Sequence, residues 1–130
     1  MTTDPIADMI NTLKNAGTAS KESIVLPYSK IKQSIADCLL KAGYVKSVSK
    51  KTRKGFPALE IGLQYLGKDP RVTDVKRISK PSRRMYMGVK EIRPFKNGHG
   101  MTVLSTPKGI LSDKDARKEM VGGEILFTIW

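Results

Sequence analysis

With one cysteine and one histidine in 130 residues, the chain has almost nothing from which to build metal or nucleophile chemistry. Cys38 has no second thiol to pair with, which excludes an internal disulfide, and His99 cannot form a metal site with it alone. A nucleophile needs a base within hydrogen-bond reach, and His99 lies in the turn-like Asn97-Gly98-His99-Gly100, a setting for a surface or turn residue. Asp113 and Asp115 flank Lys114 at a helix start, where capping accounts for them without acid–base chemistry. Neither Gly109 nor the pair Gly122-Gly123 falls at phosphate-loop spacing. The opening Met-Thr-Thr-Asp-Pro has no apolar stretch behind a basic head, and no apolar run reaches bilayer length. The expectation is a cytoplasmic, reducing compartment, no membrane, no cofactor, no metal and no enzymatic activity.

Acidic residues are also short. Twelve Asp and Glu face 24 Lys and Arg, a formal net charge of +12. Such an excess costs self-repulsion in the compact state and usually reports a polyanionic partner. The first 65 residues hold ten basic and five acidic side chains and the last 65 hold fourteen and seven, so the basicity is no detachable tail. Its densest stretch is 76–96, where Lys76, Arg77, Lys80, Arg83, Arg84, Lys90, Arg93 and Lys96 meet only Glu91. A solvated charged surface is the bland alternative.

Periodicity supplies the fold. Asp4-Pro5 opens a helix with Ile6, Met9, Ile10 and Leu13 at helical spacing, ending at Gly17. Ile24 to Leu26 reads as a strand closed by Pro27. Ser29 caps a second helix with Ile31, Ile35, Cys38, Leu39 and Ala42 on its apolar side and Gly43 as terminator. Cys38 therefore takes the place of a small core hydrophobe. Tyr44–Val48 and Ala58–Tyr65 form a strand pair around a basic tip, Lys50 to Gly55. The polar cluster Gly67-Lys68-Asp69-Pro70 marks a boundary, giving an α-β-α-β-β lobe over 1–66 and a mostly-β lobe over 67–130. In the second lobe strands are expected near Val72–Ser79, Arg84–Met87, Gly100–Ser105 and Glu124–Ile129, with a short helix from Ser112. The fold class is α+β in two small lobes.

Candidate RNA-reading residues concentrate in the second lobe. The hydroxyls of Ser105 and Thr106 can bond base edges, phosphates or a ribose 2′-OH, and Lys108 adds a mobile charge. Gly109 lets another backbone approach closely; a strand end with a proline turn is the ordinary alternative. Gly122-Gly123-Glu124 is either a helix-to-strand turn or a close-approach surface. Tyr86 either stacks on a base or fills the core.

In order along the whole chain, these segments resemble the family of the eighth small-subunit ribosomal protein, bacterial type. The resemblance lies in Asp4-Pro5-Ile6-Ala7-Asp8-Met9-Ile10 with Lys14-Asn15-Ala16, and in Ser79-Lys80-Pro81-Ser82-Arg83-Arg84-Met85-Tyr86. It continues through Gly98-His99-Gly100, Leu104-Ser105-Thr106, Gly109 to Arg117, Gly122-Gly123-Glu124 and Trp130. It implies a ribosomal structural protein whose second lobe grips a helical element in the central domain of small-subunit rRNA. Ser105 and Thr106 would contact irregular bases, with Tyr86, Gly123 and Glu124 alongside; by their own chemistry Lys108 and Gly109 join this surface, and Lys80, Arg83 and Arg84 of the basic stretch are the expected phosphate contacts. The first lobe would add Asp4, Pro5, Lys14, Ser29, Lys30 and Lys32. Further implied partners are the fifth small-subunit protein and the messenger of its own operon, which some members repress. Three positions depart from the family pattern: Pro107 stands for a serine, Ser82 for a glycine and Lys14 for an arginine.

Overall fold

In the computed structural model, residues 4–93 and 99–130 are described; Lys96, Asn97 and Gly98 of the stretches noted above lie outside them. The Asp4 carboxylate accepts from Ala7 N at 3.2 Å and so caps α1 (Pro5–Thr18) as expected. Met9, Ile10, Leu13 and Ala16 are its buried stripe. Gly17 does not end this helix. It is buried inside it, where a Cβ would sit 3.0 Å from Pro70 Cβ, so the glycine serves close packing. The stop comes at Ser20, whose φ of 60° turns the chain while Lys21 N bonds back to Ala16 O.

After β1 (Ser23–Pro27), Ser29 caps α2 (Lys30–Lys41) by accepting from Lys32 N at 3.2 Å, and Gly43 leaves it at φ 84°. Burial in α2 centres on Ile35, Ala36 and Leu39; Ile31 and Ala42, expected on the same side, are exposed, and Cys38 is half-buried. β2 (Val45–Arg53) and β3 (Phe56–Leu63) form a longer hairpin than the sequence suggested, because the ladder continues to the Arg53–Phe56 pair and only Lys54-Gly55 turn. The sheet order is β1-β3-β2, all antiparallel. β4 (Tyr65–Leu66) and β5 (Asp69–Pro70) then pair with each other, which makes the Gly67 turn a small hairpin.

The chain forms two compact units. One is Asp8–Thr73; the other is Asp74–Trp130 together with the chain start through Ala7. The division therefore falls past the Gly67–Pro70 cluster, since that cluster is occupied by a hairpin of the first unit.

In the second unit, β6 (Val75–Arg77) and β7 (Tyr86–Met87) pair with opposite ends of one edge of the last strand. A 3-10 turn at Val89–Glu91 precedes β8 (Met101–Thr106), β9 (Gly109–Ser112), α3 (Asp113–Lys118) and β10 (Gly123–Ile129). The order is β6-β10-β8-β9, and β7 pairs with β10 on the same edge as β6. β6 is shorter than the expected Val72–Ser79, yet Ile78 N and Ser79 N still bond to Leu126 O and Ile125 O, so pairing continues irregularly past it. Ser112 caps α3 through Asp115 N. Ile92, Leu104, Ala116 and Ile125 form a core under α3, packed by Ile78, Met87, Leu111 and Val121. The α+β class and the arrangement of an α-β part followed by a mostly-β part stand as expected.

Candidate nucleic-acid interface

Strand alternation fixes which side chains face the core. Met87, Leu104, Leu111 and Ile125 belong to it. Their neighbours Tyr86, Glu124, Ser105 and Ile110 pair in one register row across β7, β10, β8 and β9, and so share the other face. Tyr86 is 68% exposed, which removes the reading of it as a core filler.

Glu124 is the fixed centre of this row. It accepts from Ser79 Oγ and, at 3.1 Å, from the Arg84 guanidinium. Ser79 is fully buried and its Oγ also accepts from Met85 N at 3.2 Å, tying the 79–86 segment to the start of β10. Between them, Lys80 and Arg83 exchange both backbone hydrogen bonds at 2.9 Å across Pro81-Ser82. Ser82 has no positive φ, so this turn does not require the family's glycine. The side chains of Lys80, Arg83 and Arg84 are left on the surface beside Tyr86.

On the other flank, the two hydroxyls separate in role. Thr106 Oγ1 donates to Gly109 O at 2.8 Å and accepts from Lys108 N at 3.1 Å, so it holds the Thr106–Gly109 turn together. Ser105 is half-buried, and among the described residues its hydroxyl has no hydrogen-bond partner. Pro107 occupies the turn position where a fixed φ is favourable, and Gly109, at φ 112°, has open space around its Cβ position. Lys108 makes an exposed pair with Glu119 at 3.2 Å.

Gly123 and Gly122 are spent inside the fold. A Cβ on Gly123 would lie 2.0 Å from Ser105 O, and one on Gly122 2.3 Å from Met87 O, so both permit strand backbones to close up. The close approach at Gly123 is to β8 itself, and it positions Ser105. Arg77, counted within the basic stretch, is also internal: its Nε lies 3.0 Å from Asp4 Oδ2 and its Nη1 donates to Leu126 O, with only 9% of the side chain exposed. Sequence reading missed this partnership, as residues 73 positions apart give no local signal. Asp4 thereby has both carboxylate oxygens engaged.

Of the remaining first-lobe candidates, Pro5, Ser29, Lys30 and Lys32 sit at helix starts and Lys14 in the later turns of α1. Pro5 and Lys30 are exposed, Ser29 is the α2 cap, and Lys14 and Lys32 are half-buried. Asp113 is buried, with Oδ1 3.4 Å from Thr102 N, which anchors the start of α3 to β8.

An α+β protein with a basic, hydroxyl-bearing sheet face belongs to the class of nucleic-acid-binding structural proteins. Its sequence is matched over residues 4–130 by the family model described as Ribosomal protein S8. It is 45% identical over 130 residues to the small ribosomal subunit protein uS8 of Chlorobium limicola, covering 98% of each chain. The corresponding protein of Thermus aquaticus is 44% identical over 138 residues, with both chains fully covered. That of Caulobacter sp. strain K31 is 41% identical over 128 residues, covering 98% of this chain and 97% of the relative. The chain belongs to the ribosomal protein S8 family. It is a ribosomal protein, not an enzyme.

Proposed function

We propose that this protein is a structural constituent of the small ribosomal subunit that binds an irregular helical element in the central domain of small-subunit rRNA through the Tyr86–Glu124–Ser105 row. The observation that carries the reading is the uncommitted Ser105 hydroxyl, held on the open sheet face by a backbone contact at Gly123 and flanked by surface cations. Binding has two layers. Lys80, Arg83 and Lys108 supply affinity by releasing counterions, while Ser105 and Tyr86 select an unstacked or irregular RNA shape. The locked Glu124 fixes their spacing in advance, so little order has to be gained on binding. Repression of the messenger of its own operon would use the same row. The fifth small-subunit protein is the proposed protein neighbour, and the cytoplasmic ribosome the proposed location.

The test is the affinity of the purified protein for its own species' central-domain rRNA fragment against a scrambled RNA of equal length, across a salt series. A preference that persists at high salt is the expected result. Equal binding to both RNAs that disappears with salt would leave only the electrostatic layer and end the shape-selective reading.

A further inference from the structure

The β2–β3 hairpin lies outside the row described above and outside the first-lobe candidates, yet it combines the two features of a single-strand binding platform. Residues 50–56 hold Lys50, Lys51, Arg53 and Lys54 with no acidic side chain, and Phe56 beside them is 73% exposed. Register places Phe56, Ala58 and Glu60 of β3 on one face, with Arg53, Lys51 and Ser49 of β2 and Pro27 and Val25 of β1. The opposite face carries the fully buried Leu59 and Ile61. This face borders a shallow groove of about 560 Å³ lined by Val25, Pro27, Arg53, Phe56 and Ala58, with Leu26, Tyr28 and Pro57 of the alternate row completing it.

Lys51 is held by Glu60 at 3.0 Å, and Lys50 lies over the Tyr28 ring. Among the described residues Arg53 and Lys54 have no partner. The tip itself is tight: Arg53 pairs with Phe56 across Lys54 and Gly55, whose φ values are 51° and 82°. Such a turn favours Asn-Gly, and a lysine at its first position is strained. The cation thus stands where a neutral turn-former would fit better.

We propose that this hairpin face is a second, separate RNA-binding surface that takes an unpaired base of a single-stranded segment on Phe56 and Arg53, with the phosphates on Arg53 and Lys54. Aromatic rings and guanidinium planes stack on any base, and the uncompensated positive charge at the tip matches a phosphate chain. An apolar protein segment would gain nothing from the strained lysine.

The probe is a short labelled oligouridine, titrated against the full-length protein by fluorescence anisotropy, with 4-thiouridine crosslinks mapped by peptide mass. Crosslinks should fall on the peptide containing Phe56, and Phe56→Ala should weaken binding about tenfold, while Phe56→Trp retains it. Lys54→Asn should raise Tm by about 2–4 °C and yet lower affinity and the salt slope, the slope by about one unit. A purely structural turn would show the first effect without the second. Unchanged binding by Phe56→Ala, full binding by Phe56→Leu, or crosslinks confined to residues 74–130 would overturn the proposal and hand the groove to an acidic protein segment.

Discussion

Glycine makes opposite demands in the two sheets. On β3 a Cβ at Gly62 would lie 2.3 Å from the Ser47 hydroxyl, the rotatable end of an exposed side chain. On β10 a Cβ at Gly123 would lie 2.0 Å from the Ser105 carbonyl, and backbone cannot rotate away without opening the ladder. One ion pair from each region shows the same contrast, although the second unit also carries the exposed Lys108–Glu119 pair. The Lys51–Glu60 pair leaves 55% and 30% of its side chains in solvent, whereas Arg77–Asp4 leaves 9% and 19%. The first sheet carries its chemistry on movable exposed groups. The second builds its open face on backbone contacts and buried polar ties, so that Ser105 and Tyr86 stand at a fixed spacing. Selection of an RNA shape needs the second kind of construction; charge attraction is satisfied by the first.

The sharpest way to break this comparison is to add the same methyl to both sheets. Gly123→Ala should cost roughly 3–5 kcal/mol and leave the protein largely unfolded or insoluble, because β8 and β10 must part. Gly62→Ala should cost about 1 kcal/mol or less, since Ser47 can change rotamer. Denaturant melts of both variants decide it: equal costs would mean that the second sheet is no more constrained than the first.

Charge deletion probes the same contrast at a smaller scale. Arg77→Ala strips both Asp4 and Leu126 O of a donor in a site that is mostly out of water, and should cost about 2–3 kcal/mol. Lys51→Ala should change stability by less than about 0.5 kcal/mol, as exposed pairs are screened and entropically costly. If Arg77→Ala melted like the parent, the internal role assigned to it would be wrong and its charge would return to the RNA-facing surface.

How much of this could be read beforehand follows from range. Helix caps at Asp4, Ser29 and Ser112, the left-handed Gly43 and the alternation of Leu59, Ile61 and Leu63 are local, and all were legible. β9 escaped notice because its four residues begin with a turn glycine and end on a cap. Gly17 was misread as a terminator because packing against Pro70, 53 residues later, looks in sequence like any other glycine at a helix end. At the site, residue types were legible and commitments were not. Nothing local distinguishes Ser79, tied to Glu124, from Ser105, which is open, or separates Arg77 from Arg83.

Thr106 and Ser105 turn that distinction into a measurement. Thr106→Ala removes two turn hydrogen bonds and should cost about 1 kcal/mol of stability, which Thr106→Ser should restore. Any loss of RNA affinity in Thr106→Ala should be recovered by the same rescue, because the hydroxyl acts through the Thr106–Gly109 turn. An RNA deficit that persisted in Thr106→Ser would point instead to a methyl contact with RNA.

Ser105→Ala is the smallest change and the most informative. Its hydroxyl has no partner within the described residues, so stability should move by less than about 0.5 kcal/mol. Discrimination between the rRNA fragment and scrambled RNA should nevertheless fall roughly fivefold, the worth of one hydrogen bond to RNA. Arg83→Ala supplies the contrast, because it should weaken both RNAs alike and flatten the salt dependence by about one unit. The two variants act on different layers only if selection resides in the fixed row and affinity in the surface cations. Should Arg83→Ala erase discrimination while Ser105→Ala merely lowers affinity, the rigid sheet face would not be what reads the RNA, and the movable charges would have to be doing the reading.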